Sequence, residues 1–370
     1  PEDARAYMLL GRLEWTGNNY SDAARAFEEV AELVPTNEKA TLYTFASLAA
    51  QARGTVSPRQ ISLLEQICRQ QPRDADMWFM LALAQGIEKQ TDQQIQSLQR
   101  VLDIDPDYTA AKLHLGIAEA LLGQQTEART QLAAALADEP DNGDIQAALG
   151  MVAALGEDTE AARESLNRAL DLESSVQEFA RLRLGLLLME EEQYGPAIGY
   201  LQDLAEKDVT NYQARFFVSV CRAKLGQEEA ALKEYNALAR LDGPFAIASA
   251  VEAAKIHLED KNISLARESV DRAMQLGGNT AEIQTLHGVL LAQNGQDNDA
   301  QDAFSRAAQI DPTYPPAHLE SGLLYVRRQM LDEGLRELNS YMELAGPTSP
   351  AVANIRPLVQ QLQQTLGVEG

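Results

Sequence analysis

Residues 74–106, DADMWFMLALAQGIEKQTDQQIQSLQRVLDIDP, and residues 108–140, YTAAKLHLGIAEALLGQQTEARTQLAAALADEP, decide the fold of this chain. Pro72, Pro106 and Pro140 stand 34 residues apart, and each closes a helix-like run. The same slots recur from one run to the next: Trp78 and Lys112, Leu81 and Leu115, Ala82 and Gly116, Leu98 and Leu132, Val101 and Ala135. A 34-residue period with small residues at fixed offsets and a terminal proline predicts a helix–turn–helix unit stacked many times over.

The pattern continues in both directions. Repeat one runs from Ala4 to about Asn37, with Tyr7, Leu10 and Gly11 in its first helix and Ala23, Phe27 and Pro35 in its second. Gly11 and Ala23 let the two helices approach closely, and Tyr20 stands at the turn between them. Repeat two, about Glu38 to Pro72, is longer, because Pro35 and Pro72 are 37 apart. The extra residues fall in AQARGTVSP, where Gly54, Ser57 and Pro58 predict a turn, with Ser57 as N-cap and Pro58 opening the second helix. Repeats five to seven keep the small slot as Gly150, Gly185 and Ser219. Repeat eight is the most degenerate, with Ala253, Ala254, Ala266, Val270 and Ala273, and is expected to be the weak joint. Repeat nine returns to form with Gly288, Ala300, Phe304 and Pro312, and repeat ten carries Gly322, Tyr325, Leu338 and Tyr341. After Gly346-Pro347, residues 350–366 place Val352, Ile355, Val359, Leu362 and Leu366 at helical spacing with glutamines between, as a terminal capping helix requires. Pro357 interrupts that run, so the helix is expected to kink there or to start only near it.

This organisation resembles the tetratricopeptide repeat (TPR) family along essentially the whole chain. The expected fold is all-α: a TPR solenoid, coiled as a right-handed superhelix of about ten repeats with a C-terminal capping helix. The reading divides the chain into N-terminal repeats at 1–106, further repeats at 107–346, and cap and tail at 347–370. The resemblance also implies that first helices line a concave groove through repeat positions 2, 5, 9 and 12. Those slots read Phe79 and Leu83, Leu113 and Ile117, Met151, then Phe179, Leu182, Leu186 and Met189, then Phe216 and Val220, and finally Val289, Leu319 and Leu323. Phe79, Leu83, Leu113, Ile117, Leu182, Leu186, Met189 and Phe216 are the candidate peptide-binding residues. Apolar stripes at helical spacing also mean core, and the two readings compete at every one of these positions. Charged groove residues are few: Arg5, Arg12 and Lys255. No adjacent pair of repeats has the Lys and Asn cluster with which chaperone-binding TPR domains clamp a C-terminal carboxylate.

The composition narrows the partners. The net charge of −24, from 31 basic and 55 acidic residues, disfavours nucleic acid and anionic membranes, which would repel such a chain. No run of 18 apolar residues is present, so no direct membrane insertion of this stretch is expected. The chain starts at Pro1 without an initiator Met or signal peptide and is read as a mature or trimmed fragment. Cys68 and Cys221 are too few for a disulfide framework and are expected to be free, buried thiols. No Walker A loop, GxGxxG after a strand, HExxH, GxSxG or paired CxxC occurs, so no catalytic residue and no cofactor is assigned. His114, His257, His287 and His318 each fall in a different repeat, which gives no metal-binding pair. His287, in a slot usually held by Leu, is expected between helices. Glu190, Glu191 and Glu192 are consecutive and splay around a helix, which argues for a solvated turn rather than an acid–base dyad.

The first 106 residues also resemble the CcmI-type cytochrome c maturation proteins (the CycH/NrfG group), most specifically in Gly54-Thr55-Val56-Ser57-Pro58 and the helix to Pro72. That resemblance implies a periplasmic domain, tethered to the inner membrane by a segment outside this sequence, that holds the C-terminal helix of apocytochrome c for haem attachment. CcmI-type arrays usually have only a few repeats, and this one continues far beyond its first third. The leading expectation is a non-enzymatic protein-interaction scaffold. The alternatives are a structural TPR subunit of an envelope assembly, secretion or polysaccharide-export complex, and the regulatory half of an enzyme whose catalytic domain lies elsewhere.

Overall fold

The computed structural model describes residues 4–16, 19–34, 43, 58–172, 176–241, 243–346 and 349–368. Among them every element is helical, and there is no strand. The helices are α1 (Ala4–Thr16), α2 (Tyr20–Leu33), α3 (Pro58–Gln70), α4 (Ala75–Ile87), α5 (Thr91–Ile104), α6 (Thr109–Leu121), α7 (Gln125–Asp138), α8 (Gly143–Leu155), α9 (Thr159–Asp171) and α10 (Gln177–Glu190). They continue as α11 (Tyr194–Lys207), α12 (Tyr212–Lys224), α13 (Glu228–Ala239), α14 (Ala246–Glu259), α15 (Ile263–Gln275), α16 (Ala281–Gln293), α17 (Asp297–Ile310), α18 (Pro315–Arg327), α19 (Leu331–Ala345) and α20 (Pro350–Leu366). The chain forms two compact units, 1–187 and 188–370, divided within α10. The turn expected at Gly54 to Ser57 and the first helix of repeat two lie outside the described residues, apart from Tyr43.

One packing rule builds every well-described repeat. A Cβ added at Gly116 would come within 2.7 Å of Leu132 and 2.9 Å of the Ala128 carbonyl, so the backbones of α6 and α7 nearly touch. The equivalent distances are 2.5 Å from Gly11 to Phe27, 2.6 Å from Gly150 to Leu166, 2.5 Å from Gly288 to Phe304 and 2.8 Å from Gly322 to Leu338. In each pair the large residue follows the glycine by 16 positions. The helices of a repeat run antiparallel: Gln85 accepts from the Ser97 hydroxyl near the turn, while Lys112 at the start of α6 reaches Asp138 at the end of α7. Repeat eight keeps the rule with different residues, since Ala254 and Val270 are both buried at the same offset. Its sequence degeneracy is not a gap in its core.

The turns between repeats are tied locally. Asp105, Asp208 and Asp311 each accept the backbone N–H two residues on, and Asp208 and Asp311 also accept a threonine hydroxyl. The hydrogen bonds from Thr210 and Thr313 hold those two carboxyls below the usual range. Asp74, Asn142, Asp158, Asn211 and Thr280 cap the next helix through a side-chain oxygen.

In the second unit α20 closes the core, with Val359 and Leu362 buried against Leu335 and Leu338. The start near Pro357 is not what the chain adopts: α20 runs from Pro350 to Leu366 with Pro357 inside it. Pro357 and Ala353 both lie on the exposed side, so water can satisfy the carbonyl that the missing N–H leaves free. Pro357→Ala is therefore expected to stabilise this end by about 1–3 kcal/mol, below or up to the usual cost of an interior proline. Thermal melts of the two proteins would measure it, and an unchanged melting temperature would contradict this account.

Candidate functional site

The candidate groove residues divide into core and surface. Phe79, 1% exposed, lies under the following repeat, with ring centroids 5.0 Å from Tyr108 and 5.4 Å from His114. Leu83, 7% exposed, joins it in the core of the first unit. The expectation that these two line an open groove is thus corrected: a bulky residue from the next first helix roofs the slot. Leu113 and Ile117 on α6 and Met151 on α8 are half-buried and pack against one buried cluster that includes Leu132 and Val152. Leu182 and Leu186 on α10 are half-buried within the first unit, and Phe179 is 37% exposed.

In the second unit Met189 and Phe216 are half-buried. Phe216 centres an aromatic group, 5.6 Å from Phe217, 5.8 Å from Tyr235 and 5.1 Å from Phe245. Phe245 precedes α14 at φ 68°, a left-handed backbone that costs an L-residue roughly 1–2 kcal/mol. Packing of its ring between Phe216 and Phe217 offsets that cost. Sequence reading missed Phe245, because it stands outside the slots that recur with the repeat. Leu319 and Leu323 are half-buried beside the α19–α20 core.

Two of the cations expected along the groove are held by carboxylates. Arg12 pairs with Asp76 at 2.6 Å, and Lys255 lies between Glu252 at 2.7 Å and Glu282 at 2.6 Å. Burial opposes the Lys255 charge, but the two carboxylates outweigh it and hold its pKa above the usual value. The reactive groups are muted. Cys68 and Cys221 are free and buried, and burial pushes their thiols up to about 12 and about 11, so neither supplies a thiolate near neutrality. Burial pushes His114 down to about 4 and also lowers His287, whose Nδ1 is buried. Among the described residues no three His, Cys, Asp or Glu side chains converge in a metal-binding group, and no helix is long and apolar enough to cross a membrane.

The chain contains tetratricopeptide repeats. Family models described by that name match residues 87–152, and residues 1–38 and 182–244. No curated protein matches the chain in sequence. Solved structures share the fold at low identity. A human IFIT1 dimer with m7Gppp-AAAA has a TM-score of 0.52 at 15% identity over 98% of this chain and 89% of its own. The APC/C hetero-tetramer Cut9-Hcn1 has a TM-score of 0.51 at 12% identity over 96% of this chain and 76% of its own. Yeast Tom70 has a TM-score of 0.50 at 13% identity over 99% of this chain and 90% of its own. Repeats of this class are typically non-enzymatic scaffolds for protein–protein interaction.

Proposed function

We propose that this protein is a scaffold whose first helices hold an apolar peptide or amphipathic helix of a protein partner. The observation that carries the reading is the half-buried stripe of Leu113, Ile117 and Met151 on adjacent repeats. The pairing of Arg12 and Lys255 with carboxylates supports apolar rather than ionic capture. The sharper form of the proposal is an apocytochrome c chaperone, periplasmic and tethered to the inner membrane, that recognises the C-terminal helix of its client. It rests on the resemblance of residues 1–106. A second reading, a structural subunit of an envelope, secretion or export complex, draws on the turn edge of repeats four and five. There Leu121 is 65% and Leu155 46% exposed, a surface suited to a folded partner.

Fluorescence anisotropy with a labelled apocytochrome c C-terminal peptide tests the proposal. Binding is expected to change little with salt, because apolar burial rather than charge supplies the affinity. Leu113→Asp combined with Ile117→Asp should abolish binding and leave the helical circular dichroism intact. If the wild-type protein ignores the peptide, the maturation role fails. Should the double variant unfold, those two residues are core and the groove reading fails with them.

A further inference from the structure

We propose that α1 is a self-association surface, through which two copies of this chain pair by a two-fold contact between their first helices. The inference goes beyond the groove reading and does not depend on it. It starts from two slots of the repeat, five residues before the small residue and two residues after it. In repeats three to ten both slots are buried, none of them more than 7% exposed. Their cover comes from the preceding repeat: Val152 lies in one buried cluster with Leu132, Leu290 in one with Val270, and Leu324 in one with Phe304. Repeat one fills the same slots with Ala6 and Leu13, and Leu9 stands on the same face one turn before Leu13. All three are exposed, Leu9 at 66% and Leu13 at 65%. The face keeps the apolar chemistry of a repeat–repeat contact while it stands open to solvent.

Shape and charge select a second copy as the occupant. The ridge of Leu9 and Leu13 lies beside an open cleft between α1 and α2, with Tyr7, Leu10 and Ala26 inside it and Asp22, Arg25 and Glu29 at its rim. A ridge next to a cleft is self-complementary: a two-fold axis over α1 sets the ridge of each copy against the cleft of the other. Such a contact uses the same patch twice and therefore closes at the dimer. The net charge of −24 resists self-association over most of the surface, but α1 carries Arg5 and Arg12 against Glu14 alone. The last helix does not compete for this face. Gln360, Gln361 and Gln364 are exposed on α20, so stacking α20 of one copy on α1 of another would set polar groups against leucines. One helix and its flanking cleft form a small contact, in the class below about 1,200 Å² where complexes are weak and reversible.

Sedimentation equilibrium on the 370-residue protein tests this. Between about 1 and about 300 µM, the range of a weak contact, the mean mass is expected to rise from one chain to two and to stop there. Added salt should strengthen the dimer, because it screens the repulsion between two acidic chains. Leu9→Asp combined with Leu13→Asp should weaken association by at least about a hundredfold, since each dimer would then bury four carboxylates. Both residues are exposed in the single chain, so the dilute double variant should keep the helical circular dichroism and melting temperature of the wild type. Gln360→Asp combined with Gln361→Asp, on the outward side of α20, should dimerise as the wild type does. Hydrogen exchange on the unaltered protein is a second readout that needs no variant: amides of α1 should gain protection as concentration rises, and those of α20 should not. A wild type that remains a single chain throughout overturns the proposal and leaves the face to a helix of a different protein. A dimer that survives Leu9→Asp with Leu13→Asp, or protection gained at α20 instead of α1, overturns it as well.

Discussion

Phe304→Ala is expected to destabilise repeat nine by about 3–5 kcal/mol, within the usual range for removing a buried phenylalanine. Phe304 is 2% exposed and packs with Leu291, Ala300, Ala303 and Leu324, so the substitution opens a cavity touching two consecutive repeats. The site cannot collapse cheaply, because Gly288 already brings α16 hard against the ring and has no side chain to fill the space. The reciprocal change, Gly288→Val, overpacks the same contact: even its Cβ would meet the Phe304 ring at 2.5 Å. Gly295→Ala is the control, since nothing lies within 4 Å of its Cβ position and only its φ of 77° resists the change. Urea denaturation monitored by circular dichroism, with hydrogen exchange to locate the loss, would measure all three. A loss below about 1 kcal/mol for Phe304→Ala would mean that the small-residue contact does not hold the repeat together.

That contact was legible from the amino-acid sequence because it closes within one repeat. A glycine and a large side chain 16 residues later meet wherever the two helices pair, whatever the neighbouring repeats are doing. The groove was less legible for the complementary reason. Whether a residue such as Phe79 is surface or core depends on what the next repeat places over it, here Tyr108 and His114, and period alone cannot distinguish the two. Leu113 and Ile117 stand in equivalent slots with a different neighbour and remain half-exposed. Pro357 carries a related lesson: an interior proline weakens a helix without ending it where the freed carbonyl faces water. A tie slot four residues before the small residue was hidden by its variety, as Lys112, Arg215, Gln284 and His318 share no chemistry until their partners are seen.

Leu362→Asp is expected to detach α20 and to convert the protein from a discrete species into a self-associating one. Leu362 is 5% exposed and Val359 2%, and together they cover Leu335 and Leu338 on α19. Ionised carboxylates are not tolerated in such a contact, so helix and core must separate at a cost of about 3–5 kcal/mol, the scale of a disrupted core contact. The outward side of α20 carries Gln360, Gln361 and Gln364, all exposed, so in the native protein this end presents a polar surface to solvent. Once α20 is released, Leu335 and the half-buried Leu319, Leu323 and Met342 lose their cover, and an apolar helix face of that size drives association. Gln360→Asp, on the exposed side of the same helix, should stay within about 0.5 kcal/mol of wild type and separates the effect of charge from that of burial. Analytical ultracentrifugation gives the mass and hydrogen exchange the protection of α19. If Leu362→Asp keeps both the wild-type mass and a protected α19, then α20 is an appendage and the array is closed by its last repeat alone.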